Sequence, residues 1–161
     1  MRDLVYIFNT YSRQDKIIAL WTVLRFLLLP YKKINTLVPN KGIIVDIGCG
    51  RGGFTHFLAH RSSKRNLLGI DLSKKRISIA LKSVESKKNI QFLFGNAITA
   101  QLPKANFYLI IDVLHHIDFQ NQEKLLNFLA KRLMNNSILI IKEIDLSNKI
   151  PFLFGHIFEK L

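Results

Sequence analysis

An aspartate followed by three glycines at alternate positions is the feature of this chain best suited to ligand chemistry. Asp46 lies in an apolar run, 43–47, and Gly48, Gly50 and Gly52 follow that run. An apolar, β-branched run predicts a buried parallel strand, and glycines after it let the backbone turn tightly and approach a ligand. A helix that begins there points its first N–H groups at a bound anionic group. The segment therefore predicts a site for a nucleotide-type cofactor.

The spacing of these glycines differs from the dinucleotide fingerprint G-x-G-x-x-G. Here the pattern is D-x-G-x-G-x-G, and the carboxylate of Asp46 would repel a pyrophosphate but suits a ligand with an ammonium or sulfonium group. The pattern resembles the first motif of the class I S-adenosylmethionine-dependent methyltransferases. The resemblance covers about residues 41–145 and is nearest to the branch with the quinone-biosynthesis methyltransferases. It implies S-adenosyl-L-methionine as the cofactor and an α/β, Rossmann-like, doubly wound parallel sheet in the order 3-2-1-4-5.

Two further strand-like runs end in polar residues that suit this cofactor. Asp71 ends the second run, where an acid in a Rossmann-like unit can accept both ribose hydroxyls; alternatively, Asp71 or Ser73 only caps the next helix, and both roles are compatible. Gly95-Asn96-Ala97 ends the third run. The resemblance implies adenine recognition there, with Asn96 in place of the commoner aspartate and still offering a donor and an acceptor. The alternative is a plain turn, because Gly-Asn is typical of turns.

The fourth strand-like run leads into Asp112, His115 and His116. The resemblance implies that this segment lines the methyl-bearing end of the cofactor, where a histidine could act as a general base. Alternatively, one histidine packs on a helix and the other is solvated. Transfer from a sulfonium depends more on positioning than on a base. Two adjacent histidines without further ligands nearby make a poor metal site, so we expect no metal.

The resemblance implies a cofactor site built from the strand ends and the loops after them: Asp46, Gly48, Cys49, Gly50, Gly52, Asp71, Leu72, Asn96, Ala97 and Asp112. In this interpretation Asp46 and the glycine loop hold the methionine moiety, Asp71 the ribose, and Asn96 with Ala97 the adenine edge. Cys49 is interpreted as a small residue that fits a tight turn. A single cysteine excludes an internal disulfide and fits a reducing cytosol.

The length of 161 residues predicts one domain. It divides into an N-terminal helical segment, 1–40, a cofactor-binding core, 41–145, and a short tail, 146–161. Strand-like runs alternate with helical patterns, which favours a parallel sheet with helices on both faces. The strands are predicted at 43–47, 66–70, 90–94, 107–112 and 137–143, and the helices of the core at 52–60, 74–86 and 121–134.

Residues 12–29 predict a single helix that Pro30 ends, followed by a short helical turn at 31–38. The apolar stretch is shorter than the ~20 residues that a membrane span needs, and Arg25 interrupts it. The charges before it and the lack of a cleavage site argue against a signal peptide. We expect this helix to lie over the cofactor or substrate cleft. The alternative is an interfacial helix that dips into a membrane or accepts a lipid-like substrate.

The sequence after the fifth strand is too short for the two C-terminal antiparallel strands of this family, which we expect to be missing. The fifth strand would then leave an open apolar edge. The tail could cover that edge, a second copy could pair with it as a homodimer, or the sequence is a truncated product.

The net charge of +13 and the pI of about 10.1 favour an anionic partner, either a membrane surface or RNA. The lysines are spread over helix surfaces and turns, where solvation also explains them. The proline-rich segment typical of base amino-group methylases does not follow the fourth strand, which disfavours that reaction. We expect methyl transfer to a small-molecule or lipid-like acceptor in the cytoplasm, at the membrane surface for a lipid. The alternatives are an RNA methyltransferase and a non-catalytic S-adenosylmethionine-binding protein.

Overall fold

Five parallel strands form one sheet, and helices cover both of its faces. The computed structural model describes residues 1–84 and 88–143. The strands are β1 (Gly42–Ile47), β2 (Arg65–Asp71), β3 (Ile90–Phe94), β4 (Phe107–Ile111) and β5 (Ile138–Lys142). The helices are α1 (Arg2–Ser12), α2 (Lys16–Leu28), α3 (Tyr31–Leu37), α4 (Gly53–Arg61), α5 (Lys74–Ser83) and α6 (Phe119–Ala130), and a 3-10 turn, Leu114–His116, follows β4.

The strand order is β3-β2-β1-β4-β5, which confirms the predicted order and the Rossmann-like α/β fold. The order reverses between β1 and β4, and such a reversal opens a crevice at the carboxyl ends of the strands. Asp46 of β1 lies level with Gly69 of β2 and with Leu109 of β4. The residues after these three strands therefore meet at one edge of the sheet.

The helix predicted over residues 12–29 corresponds to α2, but α2 begins at Lys16, four residues later than predicted. A further helix, α1, was not predicted; it ends at Ser12, and the segment 13–15 separates it from α2. Asp15 adopts an extended conformation and caps α2, because its carboxylate accepts hydrogen bonds from the Ile17 and Ile18 N–H groups at 2.7 and 3.3 Å. The polar residues from Ser12 to Lys16 mark this break in the sequence, and the prediction extended the helix across them.

The prediction for the last core helix, 121–134, is also wrong at both ends. Asp118 caps α6 and accepts a hydrogen bond from the Asn121 N–H at 3.0 Å, so the helix begins at Phe119. It ends at Ala130, before a turn that reaches a positive φ of 70° at Asn136. α5 ends at Ser83 rather than at 86, and residues 85–87 lie outside the described residues.

The predicted tail, 146–161, and the place of the C-terminal strands that we expect to be missing also lie outside the described residues. Within the described part of the chain, β5 forms one edge of the sheet, and Ile138 and Ile141 are exposed on it. A homodimer through this edge stays a prediction.

Two buried apolar layers hold the sheet between the helices. Along β1, Ile44 packs into one layer and Val45 into the other, as the alternation of a strand requires. The first layer contains residues of α1 to α5, including Phe57 and Ile77, and the second contains Leu125 of α6. Because both faces are covered, the strands read as continuous apolar runs.

Arg65, at the start of β2, ties the amino-terminal side of the sheet to two helix ends. Its guanidinium is fully buried and donates to the carbonyls of Pro39, Val38 and Leu58 at 2.7, 2.9 and 2.9 Å, and to Asn35 Oδ1 at 2.7 Å. These carbonyls follow α3 and lie in α4 near its end, where backbone acceptors lack partners within the helix. Arg65 therefore supplies hydrogen bonds to three backbone carbonyls that follow α3 or lie near the end of α4.

We predict that Arg65→Met lowers the free energy of unfolding by about 3 kcal/mol, because buried carbonyls lose a charged donor. Urea denaturation followed by circular dichroism measures this change. The exposed neighbour Lys64 supplies the control, and Lys64→Met should change stability little. A loss below about 1 kcal/mol in Arg65→Met would show that these hydrogen bonds stabilise the fold little.

Candidate active site

A cavity of about 770 Å³ opens at the carboxyl ends of β1, β2 and β4. Its volume lies in the range of small-molecule and cofactor sites. Most residues that the sequence singled out line it: Asp46, Gly48, Cys49, Gly50, Asp71, Leu72, Asn96, Ala97, Asp112 and His116. Gly52 and His115 are not among its lining residues.

The glycine loop separates into a ligand-facing part and a packing part. Gly50 has a φ of 59°, and open space lies where a side chain would begin, so the loop leaves room for a ligand there. Gly52 has a φ of 81°, and a Cβ would lie 2.3 Å from Cζ of Phe92. Gly52 therefore serves the turn into α4 and its packing on β3, which explains why it does not line the cavity.

Asp46 brings a buried carboxylate to the cavity. Thr55 of α4 donates its hydroxyl to Asp46 Oδ2 at 2.6 Å. Burial raises the pKa of Asp46 to about 6, and the negative charge of Asp71 adds to the rise, while Thr55 and Arg25 oppose it. An acid with this pKa carries its charge at neutral pH at a cost, and a cationic ligand group would offset that cost.

Asp71 holds two segments beside the cavity. Its Oδ2 accepts from the Gly50 N–H at 2.9 Å, and its Oδ1 accepts from the Ser73 N–H at 2.7 Å. The Ser73 hydroxyl in turn accepts from the Arg76 N–H at 3.3 Å and caps α5. Asp71 thus fixes the glycine loop and the start of α5, and Ser73 is the N-cap residue of that helix.

Asn96 lines the cavity and also makes the turn that the Gly-Asn pair predicts, while its contact with adenine stays a prediction. Asn96 Oδ1 accepts from the Ile98 N–H at 2.9 Å, which is an Asx turn. The following Ala97 is buried against the second apolar layer.

The segment after β4 is held by the end of β5. Asp112 has a positive φ of 55° and forms an ion pair with the Lys142 ammonium. Glu143 accepts from the Val113 and Leu114 N–H groups at 3.0 and 2.8 Å, and its other oxygen lies 2.6 Å from His115 Nδ1. Burial raises the pKa of Glu143, but these hydrogen bonds outweigh it and lower the pKa below its ordinary value.

The two histidines consequently differ in position. His115 is held by Glu143, whereas His116 lines the cavity, and their ring centroids lie 3.9 Å apart. Sequence reasoning named both histidines but missed Lys142 and Glu143. The only signal for these two was a pair of charges at the end of an apolar strand.

α2 forms a wall of the cavity, as expected for a helix over the cleft. Trp21, Thr22 and Arg25 line it, and the Arg25 guanidinium donates to the Tyr31 hydroxyl at 3.3 Å. Sequence reasoning missed the cations around the cavity, which lie on α2, the glycine loop and α5: Arg25, Arg51, Lys75 and Arg76. Acids at the strand ends therefore face cations on the surrounding helices and loop.

Burial lowers the pKa of Arg51, and the positive charges of Arg76 and Arg25 lower it further. The described residues contain no group of three or more histidine, cysteine, aspartate or glutamate side chains that could hold a metal ion.

The family model described as a methyltransferase domain matches residues 44–136, which is more than half of the chain. The chain belongs to this methyltransferase domain family. The match begins in β1 and ends before β5, so it spans the glycine loop, Asp71, Asn96 and the histidine pair.

Two relatives show how widely acceptors differ among similar methyltransferases. A tRNA (guanine-N(7)-)-methyltransferase of Prochlorococcus marinus is 27% identical over 121 residues, which cover 65% of this chain and 57% of that protein. A demethylmenaquinone methyltransferase of Bacillus licheniformis is 34% identical over 71 residues, which cover 44% of this chain and 31% of that protein. The chain thus matches only part of the length of each relative.

Among solved structures, PKMT2 from Rickettsia typhi in complex with AdoHcy is similar to this methyltransferase domain, with a TM-score of 0.58 and 25% identity. The match covers 63% of this chain and 21% of that one.

We predict that the free energy of unfolding of Asp46→Asn, relative to that of the wild type, rises by about 2 kcal/mol between pH 4 and pH 7. The folded-state pKa of about 6 lies above the ordinary value of 3.8. The stability that Asp46 contributes is therefore greatest below pH 3.8 and is lost as the pH rises through about 6. Urea denaturation of both proteins across this pH range measures the difference.

Asp118→Asn is the matched control for this prediction. The backbone and side-chain hydrogen bonds of Asn121 lower the pKa of the exposed Asp118, so its variant should lose stability relative to the wild type as the pH rises. Parallel pH curves for the wild type and Asp46→Asn would contradict the raised pKa of Asp46.

Proposed function

We propose that this methyltransferase domain binds S-adenosyl-L-methionine and transfers its methyl group to a small-molecule or lipid-like acceptor. One observation carries the proposal. The carboxylates of Asp46 and Asp71 lie at adjacent strand ends, on either side of a glycine loop with open space at Gly50, in one cavity of about 770 Å³.

The residues present fit this cofactor. Asp46 would take the cationic part of the methionine moiety, which suits a buried acid whose pKa is raised to about 6. Asp71 would accept the ribose hydroxyls, since among the described residues each of its oxygens accepts one backbone N–H and retains a lone pair. Asn96 and Ala97 would meet the adenine edge, beside Leu72.

When bound, the cofactor supplies an activated methyl group on a sulfonium. His116 lines the cavity on the side of Asp112 and would orient the acceptor or accept its proton. His115, which Glu143 holds, would act as a positioning residue for the turn that carries His116. Glu143 and Lys142 thus fix the end of β4 where transfer would occur.

Apolar residues near His116 support an apolar acceptor. Ile117, Val113 and Leu125 line the cavity around the turn after β4, and Trp21 and Phe26 line it from α2. The demethylmenaquinone methyltransferase is a relative whose name indicates a quinone acceptor. An acceptor with a ring or chain would bury its apolar surface against these side chains.

An RNA acceptor is the second candidate, because a relative is a tRNA methyltransferase and the chain carries a net charge of +13. Transfer of a labelled methyl group, offered to a lipid extract and to unmodified tRNA, distinguishes the two. We expect label in the lipid fraction. Label in tRNA, with binding that weakens steeply as salt rises, would favour the RNA candidate. Cofactor binding without transfer to either would favour the non-catalytic alternative.

We predict that Asp71→Ala weakens S-adenosylhomocysteine binding about 100-fold, because two hydrogen bonds to a carboxylate are lost and the glycine loop loses its anchor. Isothermal titration calorimetry measures the affinity. Asp118→Ala removes an exposed capping acid of α6 and serves as the control, with an expected affinity like that of the wild type. Equal affinities in Asp71→Ala and the wild type would exclude Asp71 from the cofactor site.

We predict that His116→Asn lowers kcat about 100-fold and leaves the S-adenosylhomocysteine affinity unchanged, because only the acceptor side is altered. The pH–rate profile of this variant should lose its rising limb. His115→Asn is the companion variant, which should lower kcat less and keep the shape of the profile. A wild-type kcat in His116→Asn would remove this histidine from the reaction.

A further inference from the structure

The solvent-facing side of α2 is apolar along its whole length. Its members recur at helical spacing and define the outer face of α2: Ile17, Leu20, Leu24, Leu27 and Leu28, with 67, 63, 38, 61 and 54% of each residue exposed. The opposite side, with Ala19 and Phe26, is buried in the core. A surface helix ordinarily turns its polar side to water. The exposed apolar residues on the outer face of α2 therefore indicate that an apolar environment contacts this face.

The flank of the same helix borders the cavity. Trp21, Thr22 and Arg25 lie between the outer face and the buried side, and they line the proposed active site. Whatever contacts the outer face therefore lies next to the wall through which an apolar acceptor would approach. Trp21 is also a side chain that favours the boundary between water and lipid.

The charges around the outer face are mainly positive. Arg13 and Lys16 lie at the amino-terminal end of α2, and Lys32 and Lys33 follow its carboxyl-terminal end, all four exposed. Asp15, the capping residue of α2, is the one acid from residue 13 to residue 33. A second copy of the chain would bring these cations against each other, and RNA offers phosphates but no apolar layer. An anionic lipid surface matches both the apolar residues and the cations.

We propose that the outer face of α2 docks onto an anionic lipid bilayer, with the helix lying in the membrane plane and the cavity wall at Trp21 beside the lipid. This inference rests on the proposed function in one respect, that the acceptor is a lipid-like molecule dissolved in that bilayer. At 13 residues α2 is about 20 Å long, which suits an interfacial position. No helix among residues 1–84 and 88–143 is long and apolar enough to cross a membrane.

Co-sedimentation of the full chain with vesicles, without any acceptor, tests the docking. One set of vesicles contains phosphatidylcholine with phosphatidylglycerol and the other phosphatidylcholine alone. We expect binding to the anionic set that weakens as salt rises and is much weaker with the neutral set. Emission from Trp21, the single tryptophan, gives a second readout of the approach of lipid to this wall.

The decisive variant is Leu20→Gln/Leu27→Gln, which should reduce binding to anionic vesicles about tenfold or more because two exposed apolar side chains no longer enter the lipid. Leu81→Gln/Phe119→Gln is the matched control, since both residues are exposed on other helices. It should bind like the wild type. Circular dichroism and S-adenosylhomocysteine affinity should be unchanged in both, because none of these residues lines the cavity.

Absence of binding to anionic vesicles, or equal loss in both double variants, would overturn the proposal. A dimer of the wild type in analytical ultracentrifugation that Leu20→Gln/Leu27→Gln dissociates, without vesicle binding, would assign the face to a second copy and also overturn it. Failure of the proposed function has a different signature. In that case vesicle binding depends on the outer face as expected, but no lipid accepts a methyl group.

Discussion

The carboxylate of Asp71 is the constraint on which the geometry of the site depends. It ends β2, accepts from the Gly50 N–H of the loop after β1, and accepts from the Ser73 N–H where α5 begins. Three segments from two neighbouring strands thus take their positions from one side chain. Because that side chain is 8% exposed, the hydrogen bonds compete little with water and hold the glycine loop open beside the cavity.

Charge is separated across the cavity in a way that follows from the fold. The ends of parallel strands bring Asp46, Asp71 and Asp112 to one edge, while helices and loops around that edge supply Arg25 and Arg51. The acids are buried and the two arginines are half-buried, so a ligand with a positive centre and a negative group would meet complementary charges in the cavity. Burial makes each of these charges more influential than it would be in water.

The end of β5 contributes as much to the proposed methyl-transfer side of the cavity as the motif residues do. Glu143 accepts two backbone N–H groups of the turn after β4 and faces His115, and Lys142 pairs with Asp112. The positive φ of Asp112 places the following turn where His116 reaches the cavity. Two residues at the edge strand therefore determine which histidine of the pair faces the proposed acceptor.

The family resemblance carried by the acid–glycine pattern predicted the strand order and the cofactor class. The sequence by itself determined most of the cavity residues, because strand ends and glycine turns are local features that parallel pairing brings together. It did not reveal the packing role of Gly52 against Phe92 or the difference between His115 and His116. Tertiary structure alone decided these. Each depends on a contact between segments far apart in the chain, which residue spacing does not record.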